Sequence, residues 1–335
     1  MTTSTSPGPL RLVAATAAQR RVARTLAMEP GGPPTLRARI AGQVVRATVK
    51  TAWQCAPDSP AGMTRMQRVV GAVARLQAVP PGVSTAPQDL GACTAEWVRA
   101  GTPDERRVVL HLHGGAYFFG SPRLYRPFSW RLSAATGRPV LALDYRLAPR
   151  HTPADALEDA LAAYDFLLHR GYRARDVVVA GDSAGGHLTL ALLLELKKRG
   201  APLPAAAVCL SPWVDLCCEA DSHRLNRRTE YLLPADKLAR LGRRYCRGKD
   251  DDDPVFSPRR GDLSGLPPLM VMASGAEILR DDARDVAARA RAAGVHAVYQ
   301  EWDGQAHVFP LFAGFVPEGR AAFRHIAEFL RAAKA

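Results

Sequence analysis

The sequence predicts an α/β fold, a mostly parallel central sheet with flanking helices, and three observations predict it. From Val108 onward, short β-rich apolar runs alternate with stretches of helical periodicity, the pattern of strands joined by crossover helices. One of these runs, beginning at Val177, ends in a Gly-x-Ser-x-Gly turn and passes directly into a helical pattern. The chain has 335 residues, 47% of them hydrophobic and 23% charged, enough to build a sizeable core in one or two domains.

In chain order, residues 85–99 read as antiparallel strands added at one edge. The strand candidates that follow are Val108–Leu112, Val140–Leu143, Val177–Ala180, Ala205–Leu210, Leu269–Ala273 and His296–Glu301. Helical patterns cover 124–136, 154–170, 184–199, 281–293 and 318–333; in the last, Phe323, Ile326, Phe329 and Leu330 recur at spacings of three and four, so one face packs on the sheet. Two stretches leave the alternation. Residues 1–80 read as two or three amphipathic helices separated by Pro30–Pro34 and Cys55–Gly62, and residues 218–247 as helical with polar breaks. The acidic run Asp250–Asp253 reads as a solvated loop, with a cation site as its alternative.

The charge is uneven. Lys and Arg exceed Asp and Glu by 13, and residues 1–80 hold eleven Lys or Arg against Glu29 and Asp58, leaving +4 for residues 81–335. Nearly all of the basicity is Arg in an Ala-rich chain, so the high charge is weak evidence for a polyanionic partner. The six cysteines are too few for a disulfide scaffold and have no metal-site spacing; no metal and no cofactor is expected. Arg20, Arg21 and Arg24 interrupt any apolar leader, and the longest uncharged stretch, Gly200 to Val214, contains three prolines. A cytoplasmic protein without stable membrane insertion is the expectation, and a homo-oligomer is compatible with it.

The chemistry begins at Gly181-Asp182-Ser183-Ala184-Gly185-Gly186. Gly-x-Ser-x-Gly alone is a common match, but between a strand and a helix it describes a serine on a sharp turn, where a neighbouring Cβ would collide with the strand and helix. The turn exposes the hydroxyl at a helix N-terminus, whose dipole favours developing negative charge. The bland alternative is that Ser183 only caps that helix. Asp182, beside it, reads as structural. Seventy residues earlier a strand ends in His113-Gly114-Gly115-Ala116-Tyr117-Phe118-Phe119-Gly120. Residues with little or no side chain let backbone amides approach a developing oxyanion, so the amides of Gly114, Gly115 or Ala116, together with that of Ala184, are the expected oxyanion hole. His113 precedes the serine and reads as a prop for the loop.

These two motifs resemble those of the hormone-sensitive-lipase-like family of α/β-hydrolases, which includes bacterial esterases. The likeness extends over about 80–335 through Asp144-Tyr145-Arg146-Leu147-Ala148-Pro149, Ser211-Pro212-Trp213-Val214-Asp215-Leu216, Ser257-Pro258 and Leu266-Pro267-Pro268-Leu269. Two positions depart from the family pattern: Ala116 replaces the third glycine of the oxyanion loop, and Arg150 stands where an acid usually follows Leu-Ala-Pro. The first keeps a backbone donor and narrows the acyl pocket. The second alters the local salt-bridge pattern. The resemblance implies an α/β-hydrolase fold in which residues 1–80, with an insertion at about 218–247, form a helical cap on a catalytic domain, 81–335. It also implies a pocket to which Tyr117, Phe118 and Trp213 contribute.

The fold requires the order serine, acid, histidine. Beyond the serine and the acid, His296 starts a strand and His325 lies within the last helix, which leaves His307, in the loop Gly304-Gln305-Ala306-His307, as the expected base. The acid follows the strand Leu269–Ala273, where a carboxylate fixes the imidazole tautomer. Glu277 matches the family's acid position, with Asp281 and, after an earlier strand, Asp215 as alternatives. These residues predict a serine carboxylesterase acting on short- to medium-chain acyl esters through an acyl-enzyme, its partner a small-molecule ester rather than nucleic acid. The rivals are a deacetylase or lactonase of a secondary metabolite, a non-catalytic small-molecule receptor on the same fold, and nucleic-acid binding by the basic N-terminus.

Overall fold

The computed structural model describes residues 32–247, 253 and 255–335. Strands β1 (Val83–Asp89), β2 (Thr94–Ala100), β3 (Val108–Leu112), β4 (Val140–Asp144), β5 (Val177–Asp182), β6 (Ala206–Leu210), β7 (Leu269–Ser274) and β8 (Ala297–Trp302) form one sheet. Their spatial order is β1-β2-β4-β3-β5-β6-β7-β8. The β1–β2 and β2–β4 pairs are antiparallel and the rest parallel, as the sequence leads one to expect. Every residue of β3, β5, β6 and β7 is buried, which is why these strands read as continuous apolar runs rather than alternating ones. The register sets Leu112 opposite Gly181, Asp182 opposite Leu210, and Leu210 opposite Met272, so the ends of these four strands open on one rim. Open parallel sheets place their ligands at this edge.

Helices α4 (Pro122–Thr136), α5 (Pro153–His169), α6 (Ala184–Lys198), α9 (Arg280–Ala292) and α10 (Pro317–Ala332) cover the sheet, each within two residues of its sequence pattern. Local chemistry sets their ends. The Ser121 hydroxyl accepts from Leu124 N at the start of α4, and Gly137, at φ 66°, ends it. At α5, Thr152 and Asp155 form a reciprocal capping box. From Ala184 to Leu194, α6 is buried throughout, packed on β3, β5, β6 and α5, so it needs no polar face.

The two stretches outside the alternation lie together. The first is one helical rod, α1 (Leu36–Val45) continuing through a wider turn (Arg46–Lys50) into α2 (Thr51–Cys55), followed by α3 (Pro60–Arg75). The expected break at Cys55–Gly62 is present, capped by Ser59 with Pro60 at the first helical position. Pro30 falls outside the described residues. The second stretch holds α7 (Ser222–Leu225) and α8 (Ala235–Cys246) around a loop. Lys50 Nζ donates to Glu230 O at 2.7 Å, Arg46 to Arg228 O at 2.9 Å, and Arg240 pairs with Asp58 at 2.9 Å, tying the stretches to each other. Among the described residues no helix is long and apolar enough to cross a membrane. Of the acidic run, Asp250–Asp252 lie outside the described residues, and Asp253 accepts from Val255 N at 2.9 Å.

Candidate active site

Ser183 sits between β5 and α6 with φ 53° and ψ −118°, a conformation that a non-glycine residue holds only under strain of order 1–3 kcal/mol. The turn is clamped on three sides. Ser183 N donates to Leu210 O at 2.9 Å, and Ser183 O accepts from His187 N at 3.1 Å and Trp213 N at 3.0 Å. The flanking glycines are required by close approach, since a Cβ on Gly185 would stand 1.9 Å from Leu112 O and one on Gly181 2.1 Å from Gly185 O. The serine hydroxyl makes no capping bond to α6, so capping is not its task. Its residue is 7% exposed, within reach of a substrate and shielded from bulk water.

The loop after β3 forms the opposite side. Gly115 O accepts from both Phe118 N and Phe119 N at 3.0 Å, and with Gly115 at φ 120° this fixes the next peptide plane. A Cβ on Gly115 would stand 1.9 Å from Phe119 O, so glycine is obligatory there. Ala116 and Tyr117 are also held at positive φ, 50° and 61°. Among the described residues the amides of Gly115, Ala116 and Ala184 donate to no protein acceptor, as an oxyanion hole demands. The expectation for Gly114 is corrected. Its N–H donates to Asp182 Oδ1 at 3.1 Å, so it anchors the loop and is not available to an oxyanion.

Asp182 and His113 are structural, as the sequence suggested. Asp182 also accepts from Tyr125 OH at 2.8 Å. His113 donates from Nδ1 to Gly114 O at 2.7 Å and stacks on Tyr145 at 4.3 Å; burial lowers its pKa to about 4, so it stays neutral. Arg146, with Arg150 in the place of the usual acid, is held by Asp159 at 2.8 Å and Glu158 at 3.2 Å.

Of the three candidate acids only Glu277 reaches His307: His307 Nδ1 donates to Glu277 Oε2 at 2.5 Å, both residues being buried. Asp281 pairs with Arg280 and Ser222, and Asp215 accepts from Cys217 N and pairs with Arg259. His296 and His325 lie outside the site, His325 bonding Gln300. Burial lowers the affinity of His307 for a proton, but the hydrogen bond and charge of Glu277 outweigh it and the pKa is raised. Burial in turn pushes the Glu277 carboxyl upward, against the pull of His307. The His307 loop is anchored to the sheet rim by two serines: Ser211, which follows Leu210, accepts from Val308 N at 3.1 Å, and Ser274, at the end of β7, donates to Gln305 O at 2.7 Å.

The second helical stretch braces the acid from behind. Asn226 donates to Glu277 O at 2.8 Å, Glu230 Oε2 accepts from Ile278 N at 3.0 Å, and Ser222 donates to Ile278 O at 2.6 Å. The first stretch braces the oxyanion loop: Gln67 donates to Phe118 O and Ala148 O, both at 2.7 Å. From α8, Tyr245 OH donates to Ala116 O at 2.8 Å. None of these residues stands out in the sequence, because each acts through a partner about 50 to 130 positions away.

A cavity of about 880 Å³ lies between α2, α3 and α8, and Phe118 is in its wall. Tyr117 and Trp213, expected beside it, are not. Tyr117 is 1% exposed because its hydroxyl turns inward to His187 Nδ1 at 2.7 Å, and Trp213 is fully buried under Gly242 of α8. Both support the site from within and do not line the cavity. His187, neutral with its pKa lowered to about 4 by burial, donates from Nε2 to Phe256 O and so presents Nδ1 to the tyrosine.

A strained serine, a buried acid–histidine pair and open amides at one sheet rim are an arrangement able to carry out acyl transfer. Residues 109–311 match the model of a family described by the α/β-hydrolase fold. The chain is 46% identical to an acetyl-hydrolase of Streptomyces hygroscopicus over 76% of its own length and 84% of that protein's. With an esterase of Acinetobacter venetianus it shares 32% identity over 85% and 93% of the two chains. Among solved structures it is similar to a mutant of the esterase E40 (TM-score 0.83, 36% identity, 90% of this chain and all of that one). It is also similar to an esterase of the bacterial hormone-sensitive lipase family (TM-score 0.79, 35% identity, 96% and 100%). The chain belongs to the hormone-sensitive-lipase-like family of α/β-hydrolases and is an esterase of that family.

Proposed function

We propose that the protein is a serine carboxylesterase acting on short- to medium-chain acyl esters, with Ser183 as nucleophile, His307 as base and Glu277 as its orienting acid. The observation that carries the reading is the 2.5 Å His307–Glu277 bond, which occupies Nδ1 and leaves Nε2 for the serine hydroxyl. His307 takes the Ser183 proton as the oxygen attacks the ester carbonyl, and the amides of Gly115, Ala116 and Ala184 hold the oxyanion. The protonated imidazole then gives its proton to the departing alcohol. Water, activated by the same histidine, releases the acid and restores the serine. We further propose residues 1–80 and 218–247 as a cap, on the strength of the contacts that their described residues make with the oxyanion loop and the acid loop. Shielding of Ser183 to 7% exposure favours small acyl groups.

A deacetylase acting on a small metabolite is a second reading, favoured by the similarity to the Streptomyces acetyl-hydrolase. One assay separates the possibilities. Purified wild type and Ser183→Ala are compared on p-nitrophenyl acetate, butyrate and octanoate. Wild type hydrolyses acetate and butyrate above octanoate, and the variant drops to background. Equal background rates in both proteins would leave a non-catalytic receptor, and activity confined to acetate favours the deacetylase.

A further inference from the structure

The positive charge of the chain is concentrated. Residues 1–80 carry +9, and residues 218–247 hold eight Arg or Lys against four Asp or Glu, so these two segments account for the whole +13 and the rest of the chain is neutral. Among the described residues, ones from 53–66 of the first segment and from 218–247 of the second line the 880 Å³ cavity; the first brings one charge, Asp58, and the second brings all of its cations. On α8 and just beyond it, Lys237, Arg240, Arg244 and Arg247 recur at spacings of three and four, and with Arg243 they line that wall. The cavity's two acids are already engaged. Asp58 takes Lys237 at 3.2 Å and Arg240 at 2.9 Å, and Glu219 takes Arg259 and Arg260 at 2.9 and 3.1 Å. Among the described residues Arg243 and Arg247 have no acidic partner. The facing wall is apolar, formed by Trp53, Met63, Met66 and Phe118. A space with this lining repels a cation and suits a molecule with an apolar body and an anionic end.

We propose that this cavity seats the anionic end, a carboxylate or phosphoryl group, of the ester cleaved at Ser183, with Arg243 and Arg247 as its partners. The proposal rests on the esterase reading above and narrows its substrate class. One contact and one chain connection link cavity and chemistry: Tyr245 reaches Ala116 O from the same helix as Arg243, and Phe118, in the cavity wall, lies two residues along the oxyanion loop from Ala116. A guanidinium fork can donate to two oxygens of either anion, and both side chains are exposed, with no acidic partner to give up among the described residues.

The test uses three acetyl esters: methyl 4-acetoxybenzoate, which is neutral, 4-acetoxybenzoate and 4-acetoxyphenyl phosphate. The readout is the ratio of kcat/KM for each anionic ester to that for the neutral one, taken at low and high salt. In Arg243→Gln/Arg247→Gln the ratio falls about tenfold, as it does for wild type in high salt, while Arg243→Lys/Arg247→Lys keeps most of it. A larger fall for the phosphate ester identifies the phosphoryl group, and a larger fall for the benzoate identifies the carboxylate. A ratio unmoved by both the Gln substitutions and salt overturns the proposal while leaving the esterase intact. If wild type, like Ser183→Ala, hydrolyses none of the three, the esterase reading itself has failed and the proposal with it.

Discussion

At the scale of single residues, the proposed mechanism separates groups that react from groups that set their protonation. As the proposed base His307 would act only when neutral, and Glu277 raises its pKa above the ordinary 6.5 despite burial. The sign follows directly. As pH falls through that raised value the imidazole gains a proton and kcat/KM drops, so the acidic limb of the pH profile lies above 6.5. Glu277→Gln keeps the shape and removes the charge; activity falls by about 10²–10⁴ and the residual limb moves to lower pH. Profiles of the two proteins that share one inflection would remove Glu277 from this role. Ala116 offers a second case. Its donor is backbone, so Ala116→Gly retains hydrolysis of p-nitrophenyl acetate, and loss of the methyl from a buried wall raises the octanoate-to-acetate ratio. An unchanged ratio would mean that this methyl does not limit the acyl chain.

At the scale of elements, the oxyanion loop is a strained segment that cannot hold itself, with Gly115, Ala116 and Tyr117 consecutively at positive φ. Its geometry is borrowed from neighbours: Asp182 on the Gly114 amide, Gln67 on Phe118 O, Tyr245 on Ala116 O. Tyr245→Phe removes one hydrogen bond and nothing else. A bond of about 0.5–1.5 kcal/mol corresponds to a two- to tenfold fall, expected in kcat more than in KM because it acts on the transition-state donors. A change confined to KM would place the tyrosine in substrate binding. The same elements show what a sequence can and cannot disclose. Strands and helices were legible because periodicity and turn chemistry are local signals; Ser183 was singled out by its turn, His307 by chain order and Glu277 by family resemblance over Asp281 and Asp215, and of these acids the structure brings Glu277 to His307. Gly114 was misassigned because its occupation depends on where Asp182 turns, and Tyr117 and Trp213 because the direction of an aromatic ring in a loop is decided by packing with His187 and Gly242.

At the scale of the molecule, the two helical stretches are tied to the sheet rim, and Trp53 is one place where the first of them meets the oxyanion loop. It is 7% exposed and packs on Phe118 at 5.7 Å and Phe119 at 6.0 Å, so the first stretch rests directly on the oxyanion loop. Removing such a side chain costs about 3–5 kcal/mol, since the lost burial is joined by the cavity left behind. For a chain of this size that corresponds to a fall in Tm of roughly 4–8 °C. If the loop takes its geometry from this contact, Trp53→Ala loses esterase activity at temperatures well below its own Tm, whereas Trp53→Phe, which keeps a ring against Phe118, recovers most of both. Thermal melts and esterase rates measured on the same samples decide the matter. A variant that melts earlier yet turns over normally until it unfolds would show that the helices stabilise the protein without shaping its catalytic loop.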